Sequence, residues 1–464
     1  MTSTTLEGKF GRALSALTTQ TRAGLIGLCV LAAAGCETGS SGGGPVIADR
    51  QAPISEAPQA PPSGDPRFDD AIEGERRRYD RRGFIEPLHM DRDKPVRVAL
   101  LLPFTAEAKG VQSVASAMFD AAQMAAFEAG DDTFLLIPKD TRGTPEGAAS
   151  AARSALADGA EIILGPLFSE SVEAVKPVAQ AVGAPVIAFS SDVKAGGDGV
   201  FLLSFPPEIE IARVTDYAVL NGLSRFGLLA PANDYGERIS SSFAEEIYVR
   251  GGTLVHEERY IQEPDKMLAP AKRLARYSRE VIPLEMRHDF DPANPGPEGS
   301  DQGAVQGYQA VMMPEQGTLL RALAPLLPYY NVDINRIKIL GVSAWNNPRL
   351  TREPALRGGW FAAPDPAITD AFKTRYKAAF GAEPPRLASL SYDATLLASN
   401  LAKSPERNRF SVRAITNSNG YFGADGLFRL RPDGSVERGL AILEIQPGGI
   451  QVIDPAPRSF AVSF

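Results

Sequence analysis

The sequence predicts an α/β protein of two doubly wound lobes with an antiparallel C-terminal edge. Three observations predict it. The stretch Glu161–Asp192 reads as strand, Gly-Pro turn, helix and strand. Its runs Ile162-Ile163-Leu164 and Val186-Ile187-Ala188 are continuously apolar, the mark of parallel strands covered on both faces. The same alternation continues on both sides of the stiff pair Pro206-Pro207, which suits a crossing between lobes. Finally, 464 residues exceed what one compact core usually holds.

At the amino terminus, Lys9, Arg12 and Arg22 precede an apolar run, Ala23 to Ala34, and then Gly35-Cys36. That run is too short for a membrane span and fits a signal-peptide core over residues 1–35. Small residues before a cysteine resemble the bacterial lipobox, in which Cys36 would be acylated, although Ala33 stands where leucine is usual and Leu31 lies two places earlier. The alternative is a plain secretory signal cut near Gly35, or an uncleaved anchor. After Cys36-Glu37 come TGSSGGGP and a Pro-, Ala- and Gln-rich segment to about Gly64, so residues 36–94 read as a flexible tether with a polar lead-in. Glu37 after the cysteine favours the outer membrane by resemblance to the enterobacterial sorting rule.

The first lobe starts with a strand at Val96–Leu102, followed by a helix over Gln112–Ala129 with Val114, Met118, Ala121 and Ala125 on one face. A strand at Phe134–Pro138 and a helix at Pro145–Asp158 lead into the stretch above. The second set places strands at Phe226–Ala230, Thr253–His256, Ala310–Met313 and Ile337–Leu340, with a Pro/Gly/acidic surface insertion between Arg287 and Gly307. Trp360–Ala363 is expected to return the chain to the first lobe, with helices at Thr369–Phe380 and Leu387–Ala402. Gly426–Leu430 and Leu440–Ile445 are expected to form a hairpin across Asp433-Gly434, edging the second lobe.

Composition narrows the function. A net charge of −8 argues against a nucleic-acid partner. The two cysteines, Cys29 and Cys36, lie early and the three histidines are widely spaced, which excludes a disulfide framework and argues against a zinc site. No metal and no cofactor are expected. Ser191-Asp192-Val193-Lys194 matches S-x-x-K, but no S-D-N or K-T-G follows, and Ser191 ends a strand rather than opening a helix. No catalytic residue is assigned and the chain is read as a non-enzyme.

Several motifs carry a resemblance: GPLFSESVEAVKPVAQAVGAPVIAFSSD, NDYG at 233–236, SYDATLLA at 391–398 and GADGLFRLRPDG at 423–434. Together they resemble type I periplasmic binding proteins of the Leu/Ile/Val-binding kind. GVSAWNNPRL and RGGWFAAPDP look like the penicillin-binding protein activator branch, LppC or LpoA-like. The resemblance covers roughly Val96 to Ile453. It implies two lobes hinged by three crossings, expected near Phe205-Pro206, Gly358-Trp360 and Gly420-Phe422. Lobe 1 would then hold 95–206 and 359–420, and lobe 2 would hold 207–358 and 421–464. Enterobacterial activators carry a helical-repeat domain ahead of this fold, which the polar stretch Glu37–Lys94 is too short to supply.

The resemblance also implies a ligand site between the lobes. Ser169 and Ser191, with the Phe189 backbone, would hold a ligand carboxylate, and Ser171 and Ser190 face the same crevice. A helix N-terminus near Ser169 would attract an anion, although Ser169 or Ser171 as a simple helix cap is an equal reading. Asp234 and Glu315 are the acids available for a ligand ammonium, and Tyr235 could close over it. Two functions follow. One is a lipid-anchored periplasmic regulator that binds and activates class A penicillin-binding proteins, the peptidoglycan synthases, with only its lipid in the membrane. The other is a substrate-binding lipoprotein of an ABC importer for amino acids or similar small polar ligands.

Overall fold

The computed structural model describes residues 95–278, 307–404 and 408–460. The signal segment, Cys36, the tether and the Pro/Gly/acidic insertion lie outside the described residues.

The first sheet has five parallel strands in the order β2-β1-β3-β4-β5. They are β1 (Val96–Leu102), β2 (Phe134–Asp140), β3 (Ile162–Leu164), β4 (Val186–Ala188) and β5 (Val200–Leu202). Alternate residues of β1 serve different cores, as the two-residue period requires. Val98, Leu100 and Leu102 join Met118 and Ala122 of helix α1 (Lys109–Ala129), whereas Ala99 and Leu101 join Ala148, Val172 and Val175 on the other face. The last three belong to α2 (Pro145–Ala157) and α3 (Ser169–Gln180). Both faces are covered, so the sheet is doubly wound.

The second sheet has seven strands, β15-β14-β10-β9-β8-β6-β7. Its parallel part comprises β6 (Arg225–Pro231), β7 (Thr253–Tyr260), β8 (Ala310–Met312), β9 (Lys338–Gly341) and β10 (Trp360–Ala363). The strands β14 (Ala441–Gln446) and β15 (Gly449–Asp454) add an antiparallel edge, which is where the C-terminal strands were expected. Helices α4 (Pro207–Leu220), α5 (Asp234–Val249) and α6 (Leu268–Ala275) pack on this sheet through Val214, Ile239 and Leu274. The shorter α7 (Gly317–Leu323) and α8 (Leu326–Tyr329) contribute Leu320 and Leu327.

Three expectations need correction. Trp360–Ala363 stays in the second sheet, paired with β9 and β14, because its apolar run fills a central position there. The second crossing therefore falls at Pro364-Asp365, just before α9 (Pro366–Phe380) and α10 (Ala388–Ala402), and residues 359–363 belong to lobe 2. After the short α11 (Val412–Ile415) the chain forms a three-stranded sheet of β11 (Tyr421–Gly423), β12 (Gly426–Leu430) and β13 (Val436–Arg438). The Asp-Gly turn pairs β12 with β13, Leu430 opposite Val436, rather than with Leu440–Ile445. A turn closed by Arg431 N–H on Ser435 O and Gly434 N–H on Arg431 O leaves no room for the longer loop. Phe428, Leu430 and Val436 enter the first lobe's core. Residues 421–438 thus belong with lobe 1, and the third crossing is Gly439-Leu440, not Gly420-Phe422.

Gly341 shows how tightly the second lobe closes beside the crossings. A Cβ there would lie 2.2 Å from the Trp345 indole, which is fully buried and donates Nε1–H to Glu315 O at 2.9 Å. Gly341→Ala should destabilise the protein by about 1–3 kcal/mol through overpacking. Gly110→Ala, in the first turn of α1 with no atom within 4 Å of its Cβ, should be neutral or slightly stabilising. Urea melts of both variants check this, and a wild-type melt for Gly341→Ala would contradict the packing described.

Candidate functional site

An open cleft of 580 Å³ lies between the lobes at the C-terminal ends of the strands, where ligands of open α/β sheets bind. Lobe 1 contributes Ser191, after β4, and Arg386, just before α10. The first crossing contributes Phe205 and Pro207. Lobe 2 supplies Glu210 from the first turn of α4, Tyr235 and Arg238 from α5, and Glu315 and Ser343 from the loops after β8 and β9.

Two carboxylates are embedded in the cleft walls. Glu210 accepts Ser343 N–H at 2.8 Å and Ser343 Oγ–H at 2.5 Å, and Arg386 Nη2 reaches it at 3.5 Å. Burial pushes its carboxyl above the usual carboxylate range, opposed by Arg386 and the two Ser343 bonds. Glu315 accepts Tyr260 O–H at 2.8 Å, Gln262 Nε2–H at 2.9 Å and the Gln316 amide at 2.9 Å. All of its partners are neutral.

Two arginines span the gap. Arg386 donates Nη1–H to Ser343 Oγ at 2.9 Å and lies 4.3 Å over the Phe205 ring. Arg238 pairs with Glu208 at 2.7 Å and reaches Ser191 O across the cleft at 3.4 Å. Guanidinium stacking and forked donation are what distinguish arginine from lysine here.

Of the residues expected to hold a ligand, Ser191, Tyr235 and Glu315 line this cleft together. Ser190 is buried beside it, and its Oγ accepts the Asp192 amide at 3.1 Å. Phe189 sits in the first lobe's core and Ser171 is fully buried on the inner face of α3. Ser169 opens α3, but Phe168 occupies the N-cap and no side chain caps the helix, so neither serine is a cap. Asp234 is exposed on the first turn of α5, and Asn233 caps that helix by accepting the Gly236 amide at 2.9 Å. Lys194 falls in a 3₁₀ turn, Val193–Ala195, so no helix opens at Ser191. Glu210, Arg238, Ser343 and Arg386 escaped the sequence reading. Single charged residues at the start of a helix or in a proline-rich loop look the same whether they face solvent or a cleft.

Behind the cleft, at the crossings, lies a buried ionic cluster. Arg438 is 6% exposed, donates Nε–H to Ser204 O at 2.8 Å and stacks 4.4 Å from Phe205 on the first crossing. Asp393 of α10 is 4.0 Å from Arg438 Nη1 and accepts the Ala424 amide at 2.6 Å. Burial lowers the Arg438 guanidinium against the pull of Asp425 and Asp393.

Comparison with solved structures settles the architecture. A protein described as a branched-chain amino acid ABC transporter from Rhodospirillum rubrum superposes with a TM-score of 0.62 at 18% identity, covering 77% of this chain and all of that one. The fold is that of a type I periplasmic binding protein. A branched-chain amino acid ABC transporter periplasmic ligand-binding protein from Burkholderia xenovorans gives a TM-score of 0.55 at 16% identity, covering 78% and 94% of the two chains. The sequence profile of the periplasmic binding protein family matches residues 95–273. Among curated proteins, the penicillin-binding protein activator LpoA of Vibrio cholerae is 27% identical over 172 residues. That match spans 36% of this chain and 28% of the Vibrio protein.

The buried cluster makes a pH prediction. Burial first, and then the Asp425 carboxylate, push Asp393 up to about 8 from 3.8, against Arg438 and the Ala424 amide. A native carboxyl that keeps its proton longer than the unfolded chain stabilises the fold fully only below pH 3.8, and the contribution is lost as pH rises to about 8. Asp393→Asn, which keeps an acceptor for Ala424, should flatten the decline of melting temperature across that window. An unchanged slope would contradict the assignment.

Proposed function

We propose that this chain is a non-enzymatic, lipid-anchored regulator of the periplasm that binds and activates peptidoglycan synthases of the class A penicillin-binding protein type. The observation that carries the reading is the self-bridging of the cleft. Arg238 from lobe 2 takes the Ser191 carbonyl of lobe 1, at the position where an amino-acid carboxylate would be held. Arg386 from lobe 1 is engaged by Ser343 and Glu210 of lobe 2. Bridges of this kind suit a scaffold presented to a protein partner better than a trap that opens for cargo. The similarity to the Vibrio activator supports the same direction. Anchoring through Cys36, at the outer membrane, belongs to this reading, with the tether letting the folded part reach its partner.

A second reading, amino-acid capture for an ABC importer, is favoured by one feature. Glu315 is a buried carboxylate with neutral partners only, which would suit a ligand ammonium. Calorimetry with leucine, isoleucine, valine and glutamate tests it.

The two readings predict different outcomes. Under the first, the purified chain binds class A synthases in a pull-down and raises their glycan polymerisation or crosslinking rate several-fold. Ser191→Ala and Glu315→Gln should leave that stimulation intact. Absence of both binding and stimulation contradicts the first reading. Micromolar amino-acid binding lost in Glu315→Gln would establish the second in its place.

A further inference from the structure

We propose that the interlobe cleft is an anion site that takes a small dicarboxylic acid, gripped by Arg386 from one lobe and Arg238 from the other. This does not rest on synthase activation: such a ligand could be an effector of a regulator or the cargo of a carrier.

A guanidinium has five N–H donors. Arg386 uses two, on Ser343 Oγ and Glu210, leaving three without an acceptor among the described residues. Arg238 makes three bonds, two to Glu208 and one to Ser191 O, leaving two. Ser191 is exposed and its hydroxyl has no partner either. Each oxygen of Glu210 and Glu315 receives at least one donor, whereas Glu208 Oε2, beside Arg238, receives none. The unused guanidinium N–H groups thus outnumber the one unpartnered carboxylate oxygen, Glu208 Oε2, and the missing chemistry is that of an acceptor with negative charge.

Exposure points the same way. The Arg386 and Arg238 side chains are 46% and 36% exposed, while Glu210 is 9% exposed at its side chain and Glu315 only 3% overall. A ligand entering the cleft meets both guanidiniums, with Glu210 and Glu315 set behind them and Glu208, 33% exposed at its side chain, already paired with Arg238. A planar fork on each side matches a carboxylate in two-point contact. Arg386 is well placed for this, since its guanidinium rests over the Phe205 ring at 4.3 Å and its one carboxylate contact is long.

Binding should also take up protons. Glu210 is faced by Arg386, Ser343, Glu208 and Tyr235. Of these only Arg386 and the Ser343 bonds hold its carboxyl down. A ligand carboxylate on Arg386 weakens that pull, so affinity should fall as pH rises.

The experiment is calorimetry and thermal shift on the whole chain with succinate, glutarate and adipate, alongside leucine and putrescine. The expected result is binding of at least one dicarboxylate, with an affinity that falls as pH rises, and no binding of putrescine. Arg386→Gln and Arg238→Gln should each weaken it at least tenfold. The ligand-free melting temperatures of both variants serve as the folding control. No dicarboxylate binding at 10 mM, or binding unchanged in both variants, would overturn the proposal. Preference for leucine over every dicarboxylate would overturn it in favour of amino-acid capture. Synthase stimulation is read separately, so failure here leaves that reading standing.

Discussion

The guanidinium of Arg438 sits almost out of water where the first and third crossings pass each other. Its Nε–H holds Ser204 O, one residue before Phe205, and Arg438 is itself the last residue before Gly439-Leu440. Two chain segments more than two hundred residues apart are thereby fixed to one charged group. Removing a partner from a buried ion pair typically costs about 3–5 kcal/mol, because a charge is left without compensation. The compensation here comes from the nearby Asp425 and the faces of Phe205 and Phe428, with the Asp393 carboxyl, which keeps its proton up to about pH 8, lying 4.0 Å away. Gly423 belongs to this arrangement: a Cβ there would lie 2.1 Å from Asp393 Oδ1, so the carboxylate closes directly on the backbone.

Phe205 carries the consequence into the cleft. Its ring is contacted by Arg438 at 4.4 Å and by Arg386 at 4.3 Å. Cation–π contacts of this kind contribute about 0.5–2 kcal/mol each, more when desolvated. One aromatic ring therefore links the charge buried at the crossings to the charge exposed in the cleft. Arg386 in turn reaches Ser343 and Glu210 of the other lobe. The relative placement of the lobes and the chemistry offered to a ligand thus depend on the same five side chains. This accounts for a cleft that is open in volume yet bridged by its own residues.

Much of the fold was legible in the sequence, and the reason is periodicity. Runs such as Ile162–Leu164 and Val186–Ala188 are continuous because both faces of the first sheet are covered. Trp360–Ala363 misled because an apolar run reveals a central strand but not which of two sheets contains it. The Asp433-Gly434 turn was correctly placed, but its partner strand was not: Val436-Glu437-Arg438 looks polar, and burial of Arg438 follows only from contacts with Phe205 and Asp393. The site was less legible than the fold. Ser191, Tyr235 and Glu315 line the cleft as expected because they follow strands whose C-terminal ends face it. Arg386 sits after Pro384-Pro385 with no pattern to mark it, and Ser171 looked available although helical phase turns it inward.

The central claim is that the Arg386–Phe205–Arg438 stack holds the two lobes in one arrangement. The most direct measurement is the distance distribution between spin labels placed at two exposed positions, Lys194 on lobe 1 and Glu263 on lobe 2. The account predicts one narrow distribution for the otherwise unaltered chain and a clearly broader one for Phe205→Leu. A broad or two-peaked distribution with Phe205 in place, unchanged by its replacement, would contradict it.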